Sequence, residues 1–302
     1  MSQTKHNDFR FHGIIPPLVT PFDGDGNVDE AGLRAVIRYV RDGGVHGVFI
    51  AGSTGEAYAL GEKQFSQALE IAVDEVKGAL PVFVGTGRIT TSESVHIAQL
   101  AEKNGADALS VVTPYFITPT QDELYDHFEA ICNATELPVL LYNNPGRTGC
   151  VIEPETIARL AAIDNVVGMK DSAGNMGKMV DTLRLCPENF ALFCGFDMVI
   201  YPTLAAGGAG AVPASGNIAP RLIVDLYEQF RRGNLAQARS LQEKLAPLRK
   251  AFSLGTFPAV LKEGLNLMGV PAGNPLLPVR PLTPEARKKL RETLEALELK
   301  PA

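Results

Sequence analysis

The chain has 302 residues, 45% of them hydrophobic and 21% charged, a balance that supplies a sizeable core and excludes a disordered polymer or a fibrous repeat. Its 28 Lys and Arg against 34 Asp and Glu leave a formal charge of −6. The basic residues are dispersed, so neither a nucleic-acid nor an acidic-membrane surface is indicated, and a small-molecule partner is expected.

At about 150 residues per domain the length suggests two domains, but α/β barrels use ~250 residues as one, so pattern must decide. The opening segment Met1–Asp8 is polar and has no apolar signal core, and no later run approaches the ~20 apolar residues that span a bilayer. A cytoplasmic protein is expected. Short apolar runs then read as buried strands at Ile14–Val19, Gly47–Ile50, Pro81–Val84, Ala108–Val112, Pro138–Tyr142, Val166–Met169, Ala191–Cys194 and Ala209–Val212. Between them lie amphipathic stretches with helix-start signals: the capping boxes Thr90-x-x-Glu93 and Thr120-x-x-Glu123, and Pro154 placed to open a helix.

Strand then helix, repeated eight times without a nucleotide fingerprint, predicts a closed (β/α)8 TIM barrel rather than a doubly wound sheet. Past residue 217 only helical periodicity remains, at Arg221–Arg231, Leu235–Phe252, Phe257–Met268 and Thr283–Leu297. Barrel strands and helices are therefore expected over 1–217, and the last barrel helix with a helical appendage over 218–302. Gly207–Gly210 and Pro271–Pro281 are too short to be linkers, so 1–302 reads as one integrated unit.

Cys132, Cys150, Cys186 and Cys194 form no Cys-x-x-Cys pair and read as buried free thiols of a reducing compartment. His6, His12, His46, His96 and His127 lack metal-ligand spacing, and no phosphate-binding glycine loop is present. No metal, nucleotide or dinucleotide cofactor is expected.

In a βα barrel the chemistry sits at the strand C-terminal ends. Strand two runs into Gly52-Ser53-Thr54-Gly55-Glu56, strand four into Thr113-Pro114-Tyr115-Phe116, strand five into Tyr142-Asn143-Asn144-Pro145-Gly146-Arg147, strand six into Lys170-Asp171-Ser172, and strand seven into Gly195. Lys170 closes an apolar run, where an ammonium is costly without a purpose. Burial disfavours the charged form of a lysine, and the neutral amine attacks ketones, so a Schiff-base role follows. A lysine here could instead snorkel outward or pair with Asp171. Gly52–Gly55 offers two hydroxyls and free amides that could nest a carboxylate, or could simply cap a turn. Tyr142 could pass a proton between Lys170 and substrate through a hydroxyl such as Ser53, or be a core tyrosine with a satisfied hydroxyl. Arg147 could fork a second carboxylate or sit in solvent.

Together these residues resemble the N-acetylneuraminate lyase and dihydrodipicolinate synthase family of class I aldolases. The resemblance runs from Gly13 to Met268 through Leu18-Val19-Thr20-Pro21-Phe22, Gly52–Glu56, Val112-Thr113-Pro114-Tyr115, Tyr142-Asn143-x-Pro145-x-Arg147-Thr148-Gly149, Gly168-Met169-Lys170-Asp171 and Gly207–Gly210. It implies a barrel with three C-terminal helices, a homotetramer built as a dimer of dimers, and no cofactor. By the same resemblance Lys170 condenses with pyruvate or the 2-oxo end of a larger acid, and Thr54 and adjacent amides hold its carboxylate. Ser53 and Tyr142 relay protons, and Gly195 and Val212 flank the adduct. Arg147 stands where dihydrodipicolinate synthases grip the carboxylate of aspartate semialdehyde. N-acetylneuraminate lyases lack that arginine, which favours the synthase side.

One position departs from the pattern. Where the family supplies a relay tyrosine across its tight dimer interface, this chain has Phe116, just after Tyr115. Phenylalanine cannot pass a proton. The relay then ends at Tyr142 and a water, or Tyr115 substitutes, or a different 2-oxo acid is used. The expected activity is a Schiff-base lyase that condenses pyruvate with a carboxylate-bearing aldehyde. The alternative is a 2-oxo acid aldolase, dehydratase or deaminase of sugar-acid or hydroxyproline breakdown, and a more distant one is a non-catalytic 2-oxo acid-binding paralogue.

Overall fold

The computed structural model describes residues 11–299; the polar opening segment, with His6, lies outside them. Among the described residues eight strands appear, one overlapping each predicted run: β1 (Gly13–Ile14), β2 (Val48–Ile50), β3 (Val82–Gly85), β4 (Ala108–Val112), β5 (Val139–Asn143), β6 (Val166–Asp171), β7 (Ala191–Cys194) and β8 (Gly210–Ala211). The helices that follow them in turn are α1 (Glu30–Asp42), α2 (Glu62–Val76), α3 (Thr91–Lys103) and α4 (Gln121–Cys132). After β5 come the single turn α5 (Pro145–Thr148) and α6 (Pro154–Leu160), then α7 (Met176–Leu185) and α8 (Ile200–Ala205). The chain finishes with α9 (Pro220–Arg231), α10 (Leu235–Ala251), α11 (Ala259–Leu267) and α12 (Pro284–Ala296). Among the described residues no helix is long and apolar enough to cross a membrane.

The strands are all parallel and pair in the order β1-β8-β7-β6-β5-β4-β3-β2. The two ends of that row then meet. The Leu18 amide donates to the Phe49 carbonyl at 2.8 Å, and the Phe49 amide donates to the Pro16 carbonyl at 3.1 Å, which curls the sheet into a (β/α)8 barrel. The first strand was expected to run to Val19, but its regular ladder ends at Ile14, because Pro16 and Pro17 have no N–H to give.

Two cores result from burying both faces of the strands. Ile15, Phe49, Phe83, Ala108, Leu140, Ala191, Phe193 and Val212 fill the barrel interior, while a larger cluster lies between strands and helices. On β5, Leu140 points in while Val139 and Leu141 point out. On β6 the alternation is interrupted: Val139 pairs with Val166 but Leu140 with Gly168, so Val167 is an extra residue, a bulge. Val166 and Met169 consequently both join the outer core although three positions apart, and the bulge fixes which later β6 side chains face inward.

Helix starts follow the predicted chemistry. Thr120 and Glu123 cap α4 reciprocally, and Pro154 opens α6. At α3 the Thr90 hydroxyl accepts from the Glu93 amide, but the Glu93 carboxylate takes the Thr90 hydroxyl rather than completing the box. All four cysteines are free, three of them buried and Cys186 half-buried. Burial pushes the Cys132 and Cys194 thiols up to about 12, which makes them inert. Beyond α9, α10 packs on α8, α9 and the turn Asp197–Val199, and α11 packs on the turn Ala214–Asn217 and on α12. The C-terminal helices thus lean over the rim beside strands seven and eight.

Candidate active site

Tyr142 and Lys170 are directly opposed residues on β5 and β6. Neighbouring parallel strands bring such side chains into contact on one face, and the Lys170 Nζ lies 4.2 Å from the centre of the Tyr142 ring and 5.1 Å from that of Phe49. Lys170 belongs to β6 itself, not to the loop after it, and is buried. The alternative pairing with Asp171 does not form. One residue on, Asp171 faces the other side of the strand, where its carboxylate accepts from Asn143 Nδ2 at 2.7 Å and from the Ala173 and Gly174 amides.

The Tyr142 hydroxyl is a hub. Asn144 Nδ2 donates to it at 2.9 Å, and Ser172, Ser53 and Lys170 stand near enough to favour its ionised form. Burial alone would raise the phenol, but the Lys170 charge and those neighbours outweigh it, so the hydroxyl sits below its ordinary value. A phenol so placed gives up and regains a proton more readily than a free tyrosine.

These side chains open into a cavity of about 300 Å³ with Ser53, Thr54, Arg147, Gly195 and Val212 also in its walls. Thr54 is buried, on the turn that β2 delivers to the rim. At Gly195 a side chain would displace its neighbours: a Cβ would collide with Ser172 Oγ and come within 3.0 Å of the Asp171 carbonyl and Lys170 Cε. The absent methyl leaves the space next to the lysine open. Arg147 rides on α5, where its amide donates to the Asn144 carbonyl at 3.0 Å and Thr113 Oγ1 donates to Thr148 Oγ1 at 3.0 Å. Its guanidinium is exposed, stands 5.0 Å from the centre of the Phe257 ring, and borders both this cavity and an adjoining one of about 340 Å³.

Tyr115 lines only the adjoining cavity, whereas Phe116 lines neither. Phe116 is 94% exposed with φ +74, and Ile117 beside it is 49% exposed. Together they form an apolar projection from the rim.

Several cavity residues carried no role in the sequence reading. Asn144 and Ser172 sit at strand ends, the position that flagged their neighbours, and are legible by that rule. Asp197 is buried in the cavity wall; Ser215 donates to its Oδ2 through both hydroxyl and amide, while Oδ1 has no protein partner. Burial raises this carboxyl despite the Ser215 hydrogen bonds and the nearby Arg249 charge. Arg249 comes from α10 and lies between the Phe196 and Phe252 rings, 5.1 and 5.0 Å from their centres. Nothing local distinguishes it from the solvent-facing basic residues of the same helix.

A barrel whose rim buries a lysine against a phenol and a serine is that of a lysine-dependent enzyme of the class I aldolase type. The comparisons narrow this. The family model described as the dihydrodipicolinate synthetase family matches residues 10–297, and the chain belongs to that family. It is 38% identical to the 4-hydroxy-tetrahydrodipicolinate synthase of Methanopyrus kandleri, over 97% of this chain and 98% of that one. The Bacillus subtilis protein of the same name is 37% identical, over 95% and 99%. Among solved structures, a prophage protein of the dihydrodipicolinic acid synthase family from E. coli K12, in complex with pyruvate, superposes with a TM-score of 0.93 at 34% identity, covering 96% of this chain and 99% of that one. Dihydrodipicolinate synthase from Thermotoga maritima gives the same TM-score and identity, covering 96% and 100%.

Proposed function

We propose that this protein condenses pyruvate with a carboxylate-bearing aldehyde, in the manner of 4-hydroxy-tetrahydrodipicolinate synthase, through an imine on Lys170. The observation that carries the reading is the register pair Tyr142–Lys170, a buried amine touching an acidified phenol inside a cavity that reaches the surface. The amine nitrogen bonds to C2 of pyruvate, and the ketone oxygen departs as water. Loss of a C3 proton gives an enamine, whose carbon bonds to the aldehyde; hydrolysis then frees the lysine. Tyr142 supplies and recovers protons through Ser53. Thr54 and its neighbouring amides hold the pyruvate carboxylate, Gly195 and Val212 leave room for the adduct, and Arg147 at the mouth takes the carboxylate of the second substrate.

A second reading is favoured by two observations. Phe116 brings no hydroxyl to the relay, and Asp197 with Arg249 adds a further polar wall to the cavity. Both suit a longer, hydroxylated 2-oxo acid, cleaved rather than built. We further propose a cytoplasmic homotetramer, a dimer of dimers in which a partner copy covers Phe116 and Ile117; the four free thiols and this exposed apolar projection support it.

Borohydride reduction with pyruvate followed by mass spectrometry tests the imine: an adduct on Lys170 is expected, and binding without an adduct would make the protein a 2-oxo acid sensor. A coupled assay then compares aspartate semialdehyde plus pyruvate with 2-keto-3-deoxy sugar acids and 4-hydroxy-2-oxoglutarate. Turnover of the first pair is expected; activity confined to the others establishes the second reading.

A further inference from the structure

The turn that presents Ser53 and Thr54 is bounded by two non-glycine residues in the left-handed region, Ala51 at φ +51 and Glu56 at φ +57. Such backbone persists only where the surroundings impose it. On one side the imposition is clear: Thr20 Oγ1 donates to the Gly55 carbonyl at 2.8 Å, and a Cβ at Gly55 would come within 2.9 Å of the Leu18 carbonyl, so the turn rests on the segment after β1 without spare room.

On the other side stands a buried ion pair. Glu56 lines neither cavity; its Oε1 lies 2.6 Å from Lys262 Nζ on α11, with the side chains 0% and 1% exposed. Its Oε2 accepts from the Leu276 amide at 2.9 Å, and Lys262 also donates to the Asn274 carbonyl at 2.9 Å. Burying two charges costs about as much as their attraction returns, so a pair like this contributes little net stability compared with apolar residues of the same size. What it does supply is fixed geometry. Here the fixed point is the last residue of the Ser53–Thr54 turn, tied to a helix from the far end of the chain.

We propose that Glu56 and Lys262 are positioning residues through which α11 and the segment 274–276 set the Ser53–Thr54 turn against the cavity, so that capture of the 2-oxo acid carboxylate depends on the C-terminal helices. The inference rests on the reading of Thr54 and its neighbouring amides as the carboxylate cradle. Neither residue touches substrate; both act through the turn.

The test is the double variant Glu56→Gln/Lys262→Met, which removes both charges together, keeps side-chain size, and leaves a glutamine oxygen for the Leu276 amide. Pyruvate concentration is titrated in borohydride trapping, and the melting midpoint is measured in parallel. Half-saturating pyruvate should rise on the order of ten-fold, while adduct formation at saturating pyruvate and the melting midpoint stay near wild type. Wild-type half-saturation in a folded double variant would overturn the proposal, as would a weakening that merely tracks a lowered melting point. Should the double variant not fold, Glu56→Asp retains both charges and draws the turn inward by one methylene, and the same two measurements decide. Failure of the wild-type protein itself to trap pyruvate would overturn the catalytic reading instead, which keeps the two outcomes apart.

Discussion

Lys262, in the seam between the β2 turn and the C-terminal helices, lies 2.6 Å from a buried carboxylate and 2.9 Å from a carbonyl. Lys170, on the barrel rim, is also buried but lines a cavity and forms no ion pair among the described residues; the Phe49 and Tyr142 rings lie beside it. The difference separates two uses of one side chain. Attraction to a carboxylate favours a lysine's protonated form, in which the lone pair that attacks carbonyls is occupied, although at Lys262 burial outweighs the Glu56 charge and pulls the amine below its ordinary value. Lys170 has a phenol beside it and no carboxylate partner among the described residues. On the proposed readings the seam spends its charge on geometry, and the rim keeps its amine for covalent chemistry.

The sharpest way to break this comparison is to delete each amine. Lys170→Ala should abolish both the pyruvate adduct and turnover while far-UV circular dichroism stays native, since the side chain borders a cavity that can take up the space it leaves. An adduct that reappears on Lys262 would erase the distinction. Tyr142→Phe should slow turnover by ~10²–10⁴-fold, the usual share of a positioned acid or base, and still permit slow imine formation. Unchanged single-turnover kinetics would remove Tyr142 from the relay. Lys262→Met alone should act on stability, costing about 3–5 kcal/mol in urea unfolding because Glu56 is left buried and unpaired. A loss below 1 kcal/mol would mean that water reaches Glu56.

Arg147→Ala sharpens the picture at the mouth of the cavity. Adduct formation should remain near normal, while kcat/KM for a carboxylate-bearing second substrate falls by about ten- to a hundred-fold, and Arg147→Lys should restore only part of it. Equal losses in both steps would mean that Arg147 shapes the whole cavity.

The smallest effect concerns His127, another buried base without a carboxylate partner. Burial lowers its pKa to about 4; Nδ1 meets Thr91 Oγ1 at 2.9 Å and Nε2 has no protein partner. The unfolded chain takes the proton near the ordinary value of about 6.5, so the stability due to the neutral ring is complete above that pH and is lost as pH falls toward 4. The loss should be about 1 kcal/mol at pH 5.5 relative to pH 8, and His127→Gln should flatten it. Urea midpoints at the two pH values measure both, and an identical pH slope in wild type and variant would assign the effect elsewhere.

Much of this is legible in the order of residues alone. Strands buried on both faces must be apolar throughout, so each barrel strand announced itself as a short run. The rule that strand C-terminal ends carry chemistry then singled out Ser53, Thr54, Tyr142, Arg147 and Lys170. Asn144 and Ser172 stand at the same strand ends, so the same rule covers them. Asp197 lies in a short turn after β7, and Arg249 on a basic stretch of α10, where local pattern cannot separate a cavity wall from a wet surface.

Hydrophobic periodicity, turn chemistry and the order of the rim residues thus specified a βα barrel and its amine, because those signals depend only on which neighbours along the chain must be buried. Closure of the barrel decided the rest. The bulge at Val167 puts Lys170 beside Tyr142, and Glu56 finds an amide 220 residues away at Leu276. A glutamate in a turn and a lysine in an amphipathic helix read as solvated charges until the fold removes the water between them, and only then does their attraction acquire the strength to position anything.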